Sequence, residues 1–174
     1  LVGSEMCIRD SLYTTGPYPL SYNGWGDVLV IIFFGFVPVG GTYYVQALTW
    51  TPDVTIASFI CGLLIDTLLV VNNYRDREAD ARSGKRTVIV RFGEKFGRYF
   101  YLLLGISASL LCLYFLREGH IYAALLPQLY LVPHVLTWRR MVKIHSGKKL
   151  NSILGETSRN MLFMGCLLYT SPSP

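Results

Sequence analysis

The chain has 174 residues, 52% of them hydrophobic and only 16% charged, against roughly 25% charged in a soluble globular domain. That length leaves room for one domain, and a mean hydropathy of +0.38 argues for lipid rather than an aqueous surface. The formal charge of +5 does not make a nucleic-acid patch, because of where the basic residues lie: eight of the 16 fall between Arg75 and Arg98 and six more between Arg139 and Arg159, with no base-reading or stacking element on a soluble face.

The two ends read as foreign. The nucleotides ATGTGTATAAGAGACAG encode Met6 to Asp10 and begin Ser11, and their reverse complement, in another frame, encodes Cys166 to Thr170. Residues 1–11 and 166–174 are therefore set aside as adapter-derived scars, leaving 12–165 as one membrane domain open at both ends. This removes Cys7 and Cys166 from consideration. Cys61 and Cys112 remain, each inside an apolar run, and they are expected to be packing residues.

Tyr13–Gly26 is rich in Gly, Pro and Tyr and reads as a loop leading to the membrane. Four apolar runs follow, at Val28–Leu48, Val54–Val71, Tyr99–Leu116 and Ile121–Trp138, and a fifth begins at Met161. Each approaches the roughly 20 residues needed to cross a bilayer, and none alternates as a strand does. Only helices or closed barrels satisfy the backbone in lipid, so the expected fold is an all-α, multi-pass transmembrane bundle of about four complete helices and the start of a fifth. Gly35, Pro38, Gly40 and Gly41 suit close helix contacts. Thr42–Gln46 suits either a cavity wall or an interfacial belt. Thr87–Val90 is a short apolar run that could lie on the membrane surface. Pro127 and Pro133 should kink the fourth run. Leu150, Ile153, Leu154 and Thr157 share a helical face. Basic loops at 74–98 and 139–160 alternate with short connections at 49–53 and 117–120 that hold one Arg, Arg117. The basic loops are thus expected in the cytoplasm.

The second run passes directly into Asn72-Asn73-Tyr74-Arg75-Asp76-Arg77-Glu78-Ala79-Asp80. Asp76 and Asp80 are one helical turn apart, and Asn73 stands one turn before Asp76. Two carboxylates and an amide make a hard oxygen site suited to magnesium, with substrate phosphates filling its other positions. Arg75, Arg77, Arg82, Lys85 and Arg86 surround it with phosphate-binding cations, and Asn72 flanks it. Asp66, inside the apolar run, is costly enough to demand a function. With Asn73 and Asp80 it is spaced by sevens, so all three should face one way, Asp66 about 10 Å deeper than Asn73. A helical wheel points Arg75 away from the carboxylates, so either the helix breaks near Tyr74 or Arg75 has another partner. His134, beside Pro133, reads as a packed residue. Gly93–Gly97 and Ser146-Gly147-Lys148 lack the context of nucleotide loops.

The stretches YTTGPYPLSYNGWGD, FFGFVPVGGTYYVQ, NNYRDREADARSGKRTVIVRFG and LNSILGETSRN resemble the UbiA-type intramembrane prenyltransferases, within them the branch acting on 1,4-dihydroxy-2-naphthoate. The resemblance implies a nine-helix bundle in a bacterial cytoplasmic membrane, whose two aspartate motifs hold magnesium on a polyprenyl diphosphate. Asp76 and Asp80 would belong to the second motif, so 12–165 would be a C-terminal part that cannot act alone. It implies transfer of the polyprenyl group to the aromatic acceptor and loss of its carboxylate, giving demethylmenaquinone. An acceptor such as 4-hydroxybenzoate or homogentisate is the near alternative, and an ion-coupled transporter using Asp66 and Asp76 the distant one.

Overall fold

The computed structural model describes residues 24–117 and 119–169; both expected scars, apart from Cys166–Tyr169, and most of the Tyr13–Gly26 loop lie outside them. Every regular element among the described residues is helical. Helix α1 spans Gly26–Ala47, α2 Pro52–Arg82 and α3 Val88–Leu116, and these three are long and apolar enough to cross a membrane. Helix α4, Ile121–Leu125, passes through a 3-10 turn at Leu126–Tyr130 into α5, Leu131–Ile144, and α6 is Leu150–Tyr169.

The wide i→i+5 winding of α1 over Ile31–Gly40 contains Pro38, which has no N–H to give. Its Gly35 lies directly on α2: a Cβ there would fall 2.4 Å from the Ser58 carbonyl oxygen, and a Cβ on Gly62 would fall 2.9 Å from the Ile31 Cα. The two backbones touch because neither residue has a side chain, the small-residue packing that membrane helices use in place of a hydrophobic drive. Gly41, expected to help, faces open space. At its far end α1 stops at Leu48, in the left-handed region, and the Trp50 ring closes over Gly40 while its Nε1 donates to Thr55 Oγ1 at 2.8 Å.

Helix α2 starts from Pro52 behind Thr51, whose hydroxyl accepts from the Val54 N–H. It continues unbroken for 31 residues, on the order of 45 Å at 1.5 Å per residue, well past the hydrocarbon core. Its end is set by Gly84 at φ +77: Lys85 N–H reaches the Asp80 carbonyl at 2.9 Å and Gly84 N–H reaches Ala81 at 3.3 Å, the paired bonds of a glycine-terminated helix. Helix α3 begins at the run expected on the membrane surface, capped by Thr87, with Ile89 buried; Gly93 at φ 86 then breaks it.

The fourth apolar run is not one helix. Pro127 halts α4, as its sequence suggested, and the freed backbone is taken up by side chains: Gln128 Nε2 donates to the Ser109 and Ala124 carbonyls at 2.8 and 2.9 Å, and Ser109 Oγ donates to Gln128 Oε1. Pro133 sits in the first turn of α5, where proline is tolerated. Helix α6 starts as expected, with Leu150, Ile153 and Thr157 fully buried, and runs on through Cys166–Tyr169.

Two buried clusters hold the bundle. One, nearer the charged loops, joins Val70, Val71 and Tyr74 of α2 to Tyr101, Met141 and Ile153. The other joins Ile60 and Leu64 to Ala108, Cys112, Tyr130 and Met164. Ile32, Phe33, Phe34 and Val37 of α1 point outward, as lipid-facing side chains do. Replacing Gly62 by Leu should cost about 1–3 kcal/mol through overpacking against Ile31, read as a lower melting midpoint in detergent. An unchanged midpoint would show that α1 and α2 do not meet there.

Candidate functional site at the charged end of α2

Asp66, Asn73 and Asp80 are all buried, so the spacing by sevens does put them on one inner face of α2. Asp80 has two different oxygens. Oδ1 meets Lys85 Nζ at 3.5 Å, because the Gly84 turn folds Lys85 back over the helix end. Oδ2 is buried and has no hydrogen-bond partner. Asp76 stands one turn earlier at the rim, its side chain 39% exposed.

Helix α2 does not break near Tyr74, and Arg75 does not point away. Its guanidinium curls along the helix to Asp76, with Nε–Oδ1 at 2.7 Å and Nη2–Oδ2 at 2.6 Å, while Nη2 also reaches Asn72 Oδ1 at 2.8 Å. The fourth contact, Nη1 to Asn151 Oδ1 at 3.0 Å, reaches α6. A helical wheel fixes where a Cβ points, and a long side chain with a five-donor fork is free to return to a neighbour. Arg75 thus both neutralises Asp76 and ties it to α6.

Arg77 is engaged on another side. It donates to the Tyr74 carbonyl at 2.7 Å and to the His145 carbonyl at 3.1 Å, pairs with Glu94 at 3.5 Å, and lies over the Tyr74 ring. Glu94, the first residue after the Gly93 break, also accepts from Tyr74 Oη at 2.9 Å and from Arg98. This hub binds the charged ends of α2, α3 and α5. It was not visible in the sequence, where Glu94 is one acid in a loop-like GEKFG. Arg82 donates to the Glu78 carbonyl.

Deeper in the bundle, Asp66 meets Asp27 of α1, also buried. Asp27 went unnoticed because a carboxylate at the edge of an apolar run is ordinary. Between α5 and α6, Thr137, Glu156, Arg140 and Asn160 form a polar network, and Tyr101 meets Thr157 at 3.1 Å. His134 is packed as expected, stacked between Tyr101 and Tyr130 at 4.6 and 5.1 Å in space left by Gly105. Thr42, Tyr43 and Gln46 line a cleft with Asp53 and Phe115 at the opposite end of the bundle from the charged loops.

No three His, Cys, Asp or Glu side chains converge on one point among the described residues. The donors of α2 are two carboxylates and an amide, with one carboxylate oxygen buried and unpaired. Such an oxygen-only set fits a hard divalent cation that is completed by substrate oxygens.

Three spanning helices and a charged rim above a buried acidic line define a multi-pass membrane protein with a polar site at one mouth. A family model described as the UbiA prenyltransferase family matches residues 7–164, and the chain belongs to that family. It is similar to the 1,4-dihydroxy-2-naphthoate octaprenyltransferase of Escherichia coli, 39% identical over 113 residues, which are 65% of this chain and 36% of that protein. The Haemophilus influenzae protein of the same name is 42% identical over 100 residues, 58% of this chain and 32% of its own length. A UbiA prenyltransferase domain-containing protein 1 from Dictyostelium discoideum is 29% identical over 171 residues, 95% of this chain and 49% of its own. The chain therefore spans about a third to a half of these relatives. No solved structure gives a significant match.

Glu94→Ala should destabilise the protein by about 1–3 kcal/mol, since it strands Arg98, Arg77 and Tyr74, with Glu94→Gln milder. Thermal unfolding in detergent reads this, and identical midpoints for all three proteins would remove the hub from the account.

Proposed function

We propose that the protein is the C-terminal part, residues 12–165, of a magnesium-dependent prenyltransferase that moves a polyprenyl group from its diphosphate to 1,4-dihydroxy-2-naphthoate. The observation that supports it most is the end of α2, where Asp80, one turn from Asp76, faces Lys85 with one oxygen and keeps the other buried and unpaired. The names of the relatives supply the acceptor. Asp76, Asp80 and Asn73 would hold the metal, which would supply charge neutralisation to the diphosphate leaving group. Lys85 and Arg75 add positive charge to the same oxygens, with Arg77 and Arg82 completing the basic ring. Asn72 and Asp66 flank the path into the membrane.

The chain's own residues position the diphosphate at the mouth and leave the polyprenyl tail to the apolar interior. The C1–O bond breaks and its electron pair leaves with the diphosphate. A ring carbon of the acceptor gives a π pair to C1, and over the whole reaction the carboxylate leaves as carbon dioxide, its bonding electron pair staying with the ring and restoring aromaticity with no net loss of a proton. The product is the reduced form of demethylmenaquinone. The first aspartate motif and the remaining wall of the cavity would come from sequence before residue 12. The protein would sit in the bacterial cytoplasmic membrane, with 74–98 and 139–160 in the cytoplasm.

In the full-length enzyme, Asp76→Asn or Asp80→Asn should lower turnover by about a hundredfold or more at limiting magnesium while insertion is unchanged. Near-normal turnover in both would end the metal assignment. For orientation, cysteines placed at Lys148 and Arg117 should be labelled from opposite faces in intact cells. Labelling of both from one face would refute the topology.

A further inference from the structure

The two carboxylates at the end of α2 differ in what they have left to offer. Asp80 turns one oxygen to Lys85 at 3.5 Å and keeps the other buried with no partner. Asp76 has both oxygens engaged: Arg75 takes Oδ1 with Nε at 2.7 Å and Oδ2 with Nη2 at 2.6 Å. Such a fork satisfies a carboxylate and cancels its charge at once, so Arg75 takes the place of a bound cation on Asp76. The pair is open to exchange, because its side chains are 27% and 39% exposed and ion pairs this accessible to solvent are weak. The guanidinium also has holds that do not involve Asp76. Nη2 donates to Asn72 Oδ1 at 2.8 Å, and Nη1 donates to Asn151 Oδ1 at 3.0 Å. Asn72 is on α2 and Asn151 is in the first turn of α6. Between them the two amides keep the guanidinium at the mouth when it lets go of the carboxylate.

We propose that Arg75 couples diphosphate binding to metal binding: without substrate it occupies Asp76, and the arriving diphosphate draws it off, so that Asp76 becomes a free ligand only when there is a leaving group to neutralise. Asn151 is the positioning residue that holds the guanidinium within reach of both partners. This rests on the prenyl-transfer reading above and adds an order to it. Asp80, with its unpaired oxygen, is available to a divalent cation throughout, whereas Asp76 is available only after the exchange. No covalent bond breaks and no proton moves. The Nε–H and one Nη2–H pass from carboxylate to phosphate oxygens, and the carboxylate they leave regains its charge. Each ligand thereby raises the affinity for the other by the same factor, as linkage requires.

The test measures Mn2+ binding to the full-length enzyme in detergent by electron paramagnetic resonance, with no diphosphate present; Mn2+ shares the preference of magnesium for oxygen ligands. Arg75→Gln removes the competing cation and should bind Mn2+ about three- to fivefold more tightly than wild type, the range expected for a partly exposed ion pair. Its KM for polyprenyl diphosphate should rise about tenfold, because a charged hydrogen-bond donor is lost. Mn2+ affinity equal to or below wild type overturns the proposal, since a guanidinium that only steadies Asp76 gives that result. Arg75→Lys covers misfolding of the glutamine variant: an ammonium lacks the fork that holds both oxygens, so Mn2+ should again bind more tightly than to wild type. Asn151→Ala should raise the KM for the diphosphate about fivefold, with kcat within about twofold and Mn2+ affinity no lower than wild type. A fall in kcat at unchanged KM would show Asn151 to be merely structural and remove it from the proposal. Asp80→Asn separates the two readings. Wild-type Mn2+ binding there would end the metal assignment itself, whereas loss of Mn2+ binding there, beside unchanged affinity in Arg75→Gln, would end only the coupling.

Discussion

A helix in lipid must satisfy its own backbone, and α2 does so without interruption from the Thr51 cap to the Gly84 turn. Because it is longer than the hydrocarbon is thick, its last three turns are carried out of the apolar layer with their geometry intact. Asn73, Asp76 and Asp80 thereby keep helical spacing in a region where a loop would have let them drift. Helix α1 leans on α2 through Gly35 and Gly62, and α3 and α6 pack around Val70, Val71 and Tyr74. The rest of the described bundle takes its positions from this one rod.

The cations around the mouth divide by task. Arg77 and Arg98 are turned toward Glu94 and tie helices together, and Arg75 joins Asp76 to Asn151. Lys85 leans over Asp80 as a point charge at 3.5 Å. A count of basic residues does not distinguish these tasks; what each side chain already touches does.

Much of the architecture was legible because membrane helices announce themselves by run length, and the face shared by Asp66, Asn73 and Asp80 followed from periodicity alone. Pro127 marked the break in the fourth run, although its extent through Tyr130 depended on Ser109 and Gln128 meeting across two helices. Cross-helix partners were the illegible part. Gly62 is unremarked in CGLL until Ile31 lies against it, Asp27 gains meaning only opposite Asp66, and the return of Arg75 to Asp76 is a choice among rotamers that a wheel does not contain.

The clasp at that break joins two helices through polar side chains inside an apolar bundle. With α4 only five residues long and Pro127 lacking an N–H, the fourth run frees carbonyls that its backbone N–H groups do not cover. Gln128 Nε2 covers the Ala124 carbonyl from within the run, and Ser109 Oγ of α3 reaches the Pro127 carbonyl. The break in the fourth run is thus closed partly by its own Gln128 and partly by α3.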